Sequence, residues 1–277
     1  MDMPKRATAA GFRRVQLGRL LPIVFVALCG LIAGRGATAS TGAAERQAAV
    51  PILVYHRFGP TVADAMTVTT AVFEEQLAWL RAHDYRIIPL RDLLGSLSGT
   101  ADPPPRAVVI TVDDGHESVY RELWPLIRRE RLPVTLFVYP SAISNAAYAL
   151  TWPQLAEMKD SGLVDVQSHS YWHPNFHRER ARLSADAYRT LAMTQLTKSR
   201  DVIARRLGGP VDQLAWPFGI YDAQLEQWAR EAGYVAAFTL DRRAARRGDD
   251  PLALPRYLMT DRDRGARLAA IVAGGGR

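Results

Sequence analysis

Residues 108–117 read VVITVDDGHE, and the reading of this stretch decides the fold. Residues 108–112 are β-branched throughout and apolar apart from Thr111, the composition of a strand buried on both faces. The strand runs without a break into Asp113 and Asp114. Buried carboxylates cost several kcal/mol each unless something offsets them, and like charges a few ångströms apart push one pKa upward. A solvated turn, a helix N-terminus or a cation could each account for the pair.

Working outward, strand-like and helix-like stretches alternate. PILVYH (51–56) and YRIIPL (85–90) precede the central strand; VTLFVYP (134–140), LVDVQSH (163–169), QLAWPFG (213–219), YVAAFTL (234–240) and LALPRYLM (252–259) follow it. Apolar spacing and caps predict helices over 71–82, 91–97, about 117–130, from the Thr151 cap, from Ser184 to about Arg206, over 222–232 and over 263–272. Alternation over most of the chain predicts an α/β fold with parallel strands and helices outside. Seven or eight strands suit a closed barrel of the (β/α) type, with an open doubly wound sheet as the alternative. In either case, residues just after a strand gather at the carboxyl edge of the sheet, where ligands bind.

The net charge of the 277-residue chain is +7. Residues 1–39 carry six basic residues against Asp2, and the remainder has 29 basic and 27 acidic residues. The basic excess therefore belongs to the leader, and a nucleic-acid partner is not indicated. That leader places LLPIVFVALCGLIAG (20–34) after a basic stretch and before an A-x-A site at residues 37–39, the layout of an export signal. The expected division is a signal peptide or N-terminal anchor over 1–39, a linker over 40–50 and the main domain over 51–277. The expected location is periplasmic or extracellular, with membrane attachment only through an uncleaved N-terminal segment. Cys29 is the single cysteine and lies inside the leader, so any metal in the mature chain is held by His, Asp or Glu.

The strand ends collect the polar residues. His56 follows the first strand, Asp113 and Asp114 end the central one, and SHSYWHPNFH (168–177) brings His169, His173 and His177 after another. Two histidines at i and i+4 on a helical turn share a face and can bind one ion. With one carboxylate they form a His₂-carboxylate site with open positions, as in catalytic zinc. The second carboxylate is then free to act as a base toward water, and the cation offsets the adjacent charges. Taken singly, DDG is usually a turn or cap, and H-x-x-x-H is common on helices by chance. It is their joint occurrence at strand ends that points to a site.

The two motifs together resemble the polysaccharide deacetylase family, carbohydrate esterase family 4, and especially its exported poly-N-acetylglucosamine deacetylases. TVDDG (111–115) resembles the family's TFDDG, and HSYWH (169–173) is similar to its H-[ST]-x-x-H; the likeness runs from about residue 51 to 259. It implies a distorted (β/α) barrel that hydrolyses N-acetyl groups of amino sugars in an envelope or extracellular polysaccharide. By resemblance Asp113 is the general base, while Asp114, His169 and His173 bind a divalent metal: zinc, or cobalt or nickel. The Phe218 backbone N–H would hold the oxyanion, with Trp216 and Trp172 as groove residues. Two departures stand out. Ala215 occupies the place of the family's base-orienting arginine, which Arg256 could supply from the last strand. No histidine follows His177 to act as the late general acid, and His56 is the replacement expected. His116 and His177 are expected to line the cleft. The alternatives are a glycan-binding protein that has lost turnover and a deacylase of a non-sugar amide.

Overall fold

The computed structural model describes residues 49–274. The expected leader and residues 40–48 of the expected linker lie outside the described residues. The remaining linker residues do not hang free: Val50 is buried and bridges antiparallel to Ala245.

Among the described residues ten strands form: β1 (Ile52–Tyr55), β2 (Arg57–Gly59), β3 (Thr67–Thr69), β4 (Arg86–Ile87), β5 (Ala107–Asp114), β6 (Val134–Val138), β7 (Val164–Ser168), β8 (Gln213–Ala215), β9 (Ala236–Phe238) and β10 (Tyr257–Leu258). The main sheet has the order β10-β1-β5-β6-β7-β8-β9, with β4 beside β5. Every pairing in it is parallel. Between β9 and β10 the ladder shrinks to one parallel bridge, Phe238 with Leu254, so the barrel is distorted as expected. β2 and β3 form a separate two-stranded sheet over one rim.

Strand alternation divides the core into layers. On β5, Val108, Ile110 and Val112 face outward and pack under helices such as Thr70–Ala82 and Trp124–Glu130. Ala107 and Val109 face inward with Ile52, Phe137, Ala215, Ala236, Phe238 and Leu254. In this interior, alanines oppose two phenylalanines, which lets a narrow barrel fill without voids. A third cluster lies beneath helices Ala185–Leu207 and Ala223–Glu231.

Three local expectations are corrected. The helix expected over 117–130 is a π-helical turn, Val119–Leu123, leading into an α-helix at Trp124. Pro125 has no N–H and is accommodated at the start of that α-helix. His169 and His173 do not share a helical turn, because residues 169–175 are irregular and Ser170 and His173 both have positive φ. The helix of this region starts only at Phe176, capped by the Asn175 side chain. The terminal helix begins at Ala266 rather than 263.

Gly115 follows β5 at φ 74°, where a Cβ would meet Ile143 Cδ1 at 3.0 Å and Val138 Cγ1 at 3.1 Å. The left-handed backbone and the crowding both disfavour a side chain there. Gly115→Ala should cost about 1–3 kcal/mol. At about 2–4 °C per kcal/mol for a domain of this size, calorimetry should show the melting temperature lowered by several degrees. An unshifted transition would mean this turn is not the constraint described.

Candidate active site

The inward rows of the strands end at one rim. Residues 52 and 54 of β1 lead to His56, and residues 107, 109 and 111 of β5 lead to Asp113. In the same way Phe137 of β6 leads to Tyr139, Gln167 of β7 leads to His169, and β8 ends at Ala215. A period of two therefore delivers a histidine, an aspartate, a tyrosine and a second histidine to the top of the barrel. Asp114 comes next to Asp113 in sequence, but φ 72° breaks the alternation there.

Asp114, His169 and His173 converge, with one ligand atom from each lying within 4.8 Å of the others. The Asp114 Oδ1 is 3.6 Å from His169 Nε2 and 3.7 Å from His173 Nε2. His169 Nδ1 lies 2.7 Å from Ala215 O. Because a carbonyl only accepts, Nδ1 carries the proton and the Nε2 lone pair faces the carboxylates. A backbone carbonyl that fixes the tautomer is the usual support of a metal-ligating histidine. His173 lies against Tyr139 and Phe218, at ring-centroid distances of 5.4 and 4.5 Å. Burial and the neighbouring His169 hold it at about 4, so it is neutral and able to ligate at physiological pH. Three donors with open positions, a carboxylate and two imidazoles, fit a divalent cation such as zinc.

Asp113 is only 2% exposed. Arg256, fully buried, grips it bidentately, with Nη1 2.8 Å from Oδ1 and Nη2 2.7 Å from Oδ2. The same guanidinium donates from Nε to Thr239 O at 3.1 Å. Burial alone would raise the Asp113 pKa, but the Arg256 charge outweighs it and holds the group at about 2. The segment before β10 thus brings a guanidinium to Asp113. His56 is buried, and its Nδ1 has no protein partner among the described residues. Burial lowers its pKa, against the upward pull of Asp113 and Asp114.

Phe218 is 55% exposed and sits at φ 59°, ψ 12° in the short 3₁₀ turn Pro217–Gly219. Trp172 is 42% exposed beside the histidine loop. The expectation that Trp216 lines a groove is corrected: it is fully buried, donates its indole N–H to Leu252 O, and packs on Phe176. A large aromatic after a strand fills the space under helices when its direction is outward. His177 is exposed on helix Phe176–Arg182, away from the Asp–His–His group. Sequence reasoning missed Arg57, Tyr139 and Tyr148, which with Asp114 and His116 line a cleft of about 400 Å³. Tyr139 was within reach of the strand-end argument that found His169.

Comparison with known proteins finds similar sequences and similar folds. The family model described as polysaccharide deacetylase matches residues 100–237. A poly-beta-1,6-N-acetyl-D-glucosamine N-deacetylase of Staphylococcus aureus is 23% identical over 199 residues, covering 70% of this chain and 68% of the relative. Its namesake in Staphylococcus epidermidis is 25% identical over the same shares. Among solved structures, the Streptococcus pyogenes deacetylase PplD in complex with acetate aligns with a TM-score of 0.73 and 22% identity, over 82% of this chain and 99% of that one. IcaB from Ammonifex degensii aligns with a TM-score of 0.71 and 25% identity, over 81% of this chain and 97% of that one.

The buried pair makes a pH prediction. With its pKa lowered from 3.8 to about 2, Asp113 contributes stability that is present above pH ~4 and lost as pH falls through about 2. Arg256→Met removes the partner and leaves a buried uncompensated carboxylate, at a cost of about 3–5 kcal/mol near neutral pH. In that variant the Asp113 pKa moves above its unfolded value, so acid should relieve the defect. Melting of the metal-free proteins should show the gap between variant and parent narrowing from pH 7 to pH 4. A gap that stays constant or widens would mean Arg256 does not act through Asp113.

Proposed function

As this chain belongs to the polysaccharide deacetylase family, a family of hydrolases, we propose that it removes N-acetyl groups from a poly-N-acetylglucosamine-type polysaccharide, aided by a divalent cation. The observation that carries the reading is one rim holding both an Asp–His–His ligand group and a separate, arginine-locked carboxylate 3.8 Å from the first histidine. The curated relatives named above act, by their names, on poly-beta-1,6-N-acetyl-D-glucosamine, which makes that polymer the first substrate to test. The leader in residues 1–39 supports action at the cell envelope or outside it.

Asp114, His169 and His173 would hold the cation, zinc by the chemistry of the donors. When bound, it supplies polarisation of the acetamide carbonyl and acidification of water. Asp113 accepts the proton of the attacking water, and Arg256 keeps that carboxylate ionised and in one orientation. The Phe218 backbone N–H is assigned to the developing oxyanion, on the turn that packs against His173. His56, which sits among the same charges with an unpartnered Nδ1, is assigned to pass on to the departing amine the proton that Asp113 takes from water. The products are acetate and a free amino sugar in the polymer.

Acetate release from β-1,6-linked N-acetylglucosamine oligomers tests this. Chelation should abolish release and added zinc or cobalt restore it. Asp113→Asn should lower kcat by about 10²–10⁴-fold while elemental analysis still finds one metal per chain. Asp114→Ala should lose the metal as well as the activity. Acetate release that survives removal of all metal, or no release from any N-acetylated oligomer, would overturn the proposal.

A second prediction concerns His56. If it protonates the amine, His56→Gln should lower kcat by about 10²-fold or more with little change in KM. A change confined to KM would assign His56 to binding instead.

A further inference from the structure

The 400 Å³ cleft beside Asp114 has a floor and walls built for a ligand larger than an acetamide. Residues 115–117 and 148–150 are clamped together: His116 bridges Ala149, Glu117 N–H donates to Tyr148 O at 2.7 Å, and Leu150 N–H donates to Gly115 O at 2.9 Å. The clamp sets the Tyr148 ring nearly parallel to the His116 ring, at 17° and 6.2 Å between centroids. The Tyr148 hydroxyl lies 2.8 Å from that of Tyr139, whose ring in turn packs on His173. One continuous wall therefore leads from the ligand group to His116.

The His116 tautomer is set by its neighbours. Ser118 backbone N–H donates to His116 Nδ1 at 3.1 Å, and Ser118 Oγ lies 2.9 Å from the same nitrogen while accepting from Phe58 N–H. A nitrogen that accepts from a backbone N–H carries no proton, so the proton is on Nε2. No protein acceptor meets Nε2 among the described residues. His116 thus brings a fixed donor to the cleft.

We propose that this cleft is the subsite for the sugar ring joined to the reacting N-acetylglucosamine unit, and that His116 is its specificity-determining residue, donating Nε2–H to a hydroxyl or acetamide oxygen. The inference rests on the function proposed above. A neutral ring fits better than an anionic one. Arg57, the guanidinium in the lining, is already paired with Asp64 and so is not free to receive an anion. The exposed face of Tyr148 and the partly exposed rings of Tyr139 and His116 suit the C–H face of a pyranose, with hydroxyls meeting the donors at the edge.

Two substitutions separate this role from a structural one. His116→Asn can still accept from Ser118 N–H but has no donor at the Nε2 position. His116→Gln reaches that position with an amide N–H and gives up the Ser118 contact. For a β-1,6-linked N-acetylglucosamine tetramer, His116→Asn should raise KM about three- to tenfold, the factor of one hydrogen bond, with kcat within twofold. His116→Gln should recover most of the loss. For monomeric N-acetylglucosamine, which cannot fill the neighbouring subsite, the three proteins should give the same KM. Equal KM values on the tetramer, or an Asn defect as large on the monomer, would overturn the subsite. Calorimetric titration of the tetramer into the Asp113→Asn protein, with and without His116→Asn, reads the same contact without turnover. Tetramer binding weakened by His116→Asn in a protein that releases no acetate would sink the hydrolase reading and spare the subsite. Binding indifferent to His116 would sink the subsite alone.

Discussion

The buried ion pair between Arg256 and Asp113 is the constraint on which the rest of the site depends. Neither group could remain charged alone inside the barrel. Together they are satisfied: two charge-assisted hydrogen bonds join them, Thr239 O takes the Arg256 Nε–H, and Thr111 lies 3.4 Å from Nη1. Phe137 and Phe238 stand over the guanidinium at 5.5 and 5.9 Å from their centroids, so its planar faces meet aromatic rings rather than empty space. The pair also ties the chain together. It links β5, at the middle of the sheet, to the segment before β10, near where the β9–β10 ladder is reduced to one bridge.

That arrangement has a chemical consequence. A carboxylate held at about 2 is always ionised at working pH, and it has one orientation. It is also a weak base, and proton transfer to a weak base becomes easier as the donor becomes more acidic. A site with such a base needs water made more acidic than bulk water. The neighbouring Asp–His–His group is the feature that can meet that need. On the function proposed above, the arginine lock and the ligand group meet one requirement together: the more the lock lowers the basicity of Asp113, the more a bound cation would contribute.

Much of this was legible in the sequence because period-two alternation is a strong signal. β-branched runs marked β5 and β6, and the rule that ligands gather at carboxyl edges singled out His56, Asp113 and His169 before any coordinates. The histidine spacing suggested a helix, yet His173 is followed directly by Pro174, which disfavours a helical His173. The segment instead crosses the rim as a loop with two left-handed residues. Trp216 follows a strand like the true site residues, but alternation turns it outward beneath helix Ala223–Glu231, and only the sheet register reveals that. Arg256 could be named as a possible partner for Asp113, because a guanidinium was missing from Ala215. Its bidentate geometry depends on how the last strand closes the barrel, a contact between residues 143 positions apart. Tyr148 gave no signal at all, since it is placed by loop hydrogen bonds to residues 115–117.

Adjacency of the two aspartates is the remaining puzzle of the opening stretch, and backbone geometry answers it. In a regular strand, neighbours face opposite sides, so an inward Asp113 would send Asp114 out under the helices. There it would be a buried charge among Val112, Val119 and Leu123. The left-handed φ of Asp114, followed by Gly115 in the same region, bends the chain at that step and leaves the second carboxylate at the rim, 3.6 Å from His169. Aspartate tolerates this conformation better than most residues with a Cβ, and glycine tolerates it best. One strained step therefore gives two consecutive carboxylates different surroundings. One is sealed against a guanidinium and the other is open to two imidazoles, which is the physical basis for assigning them different work.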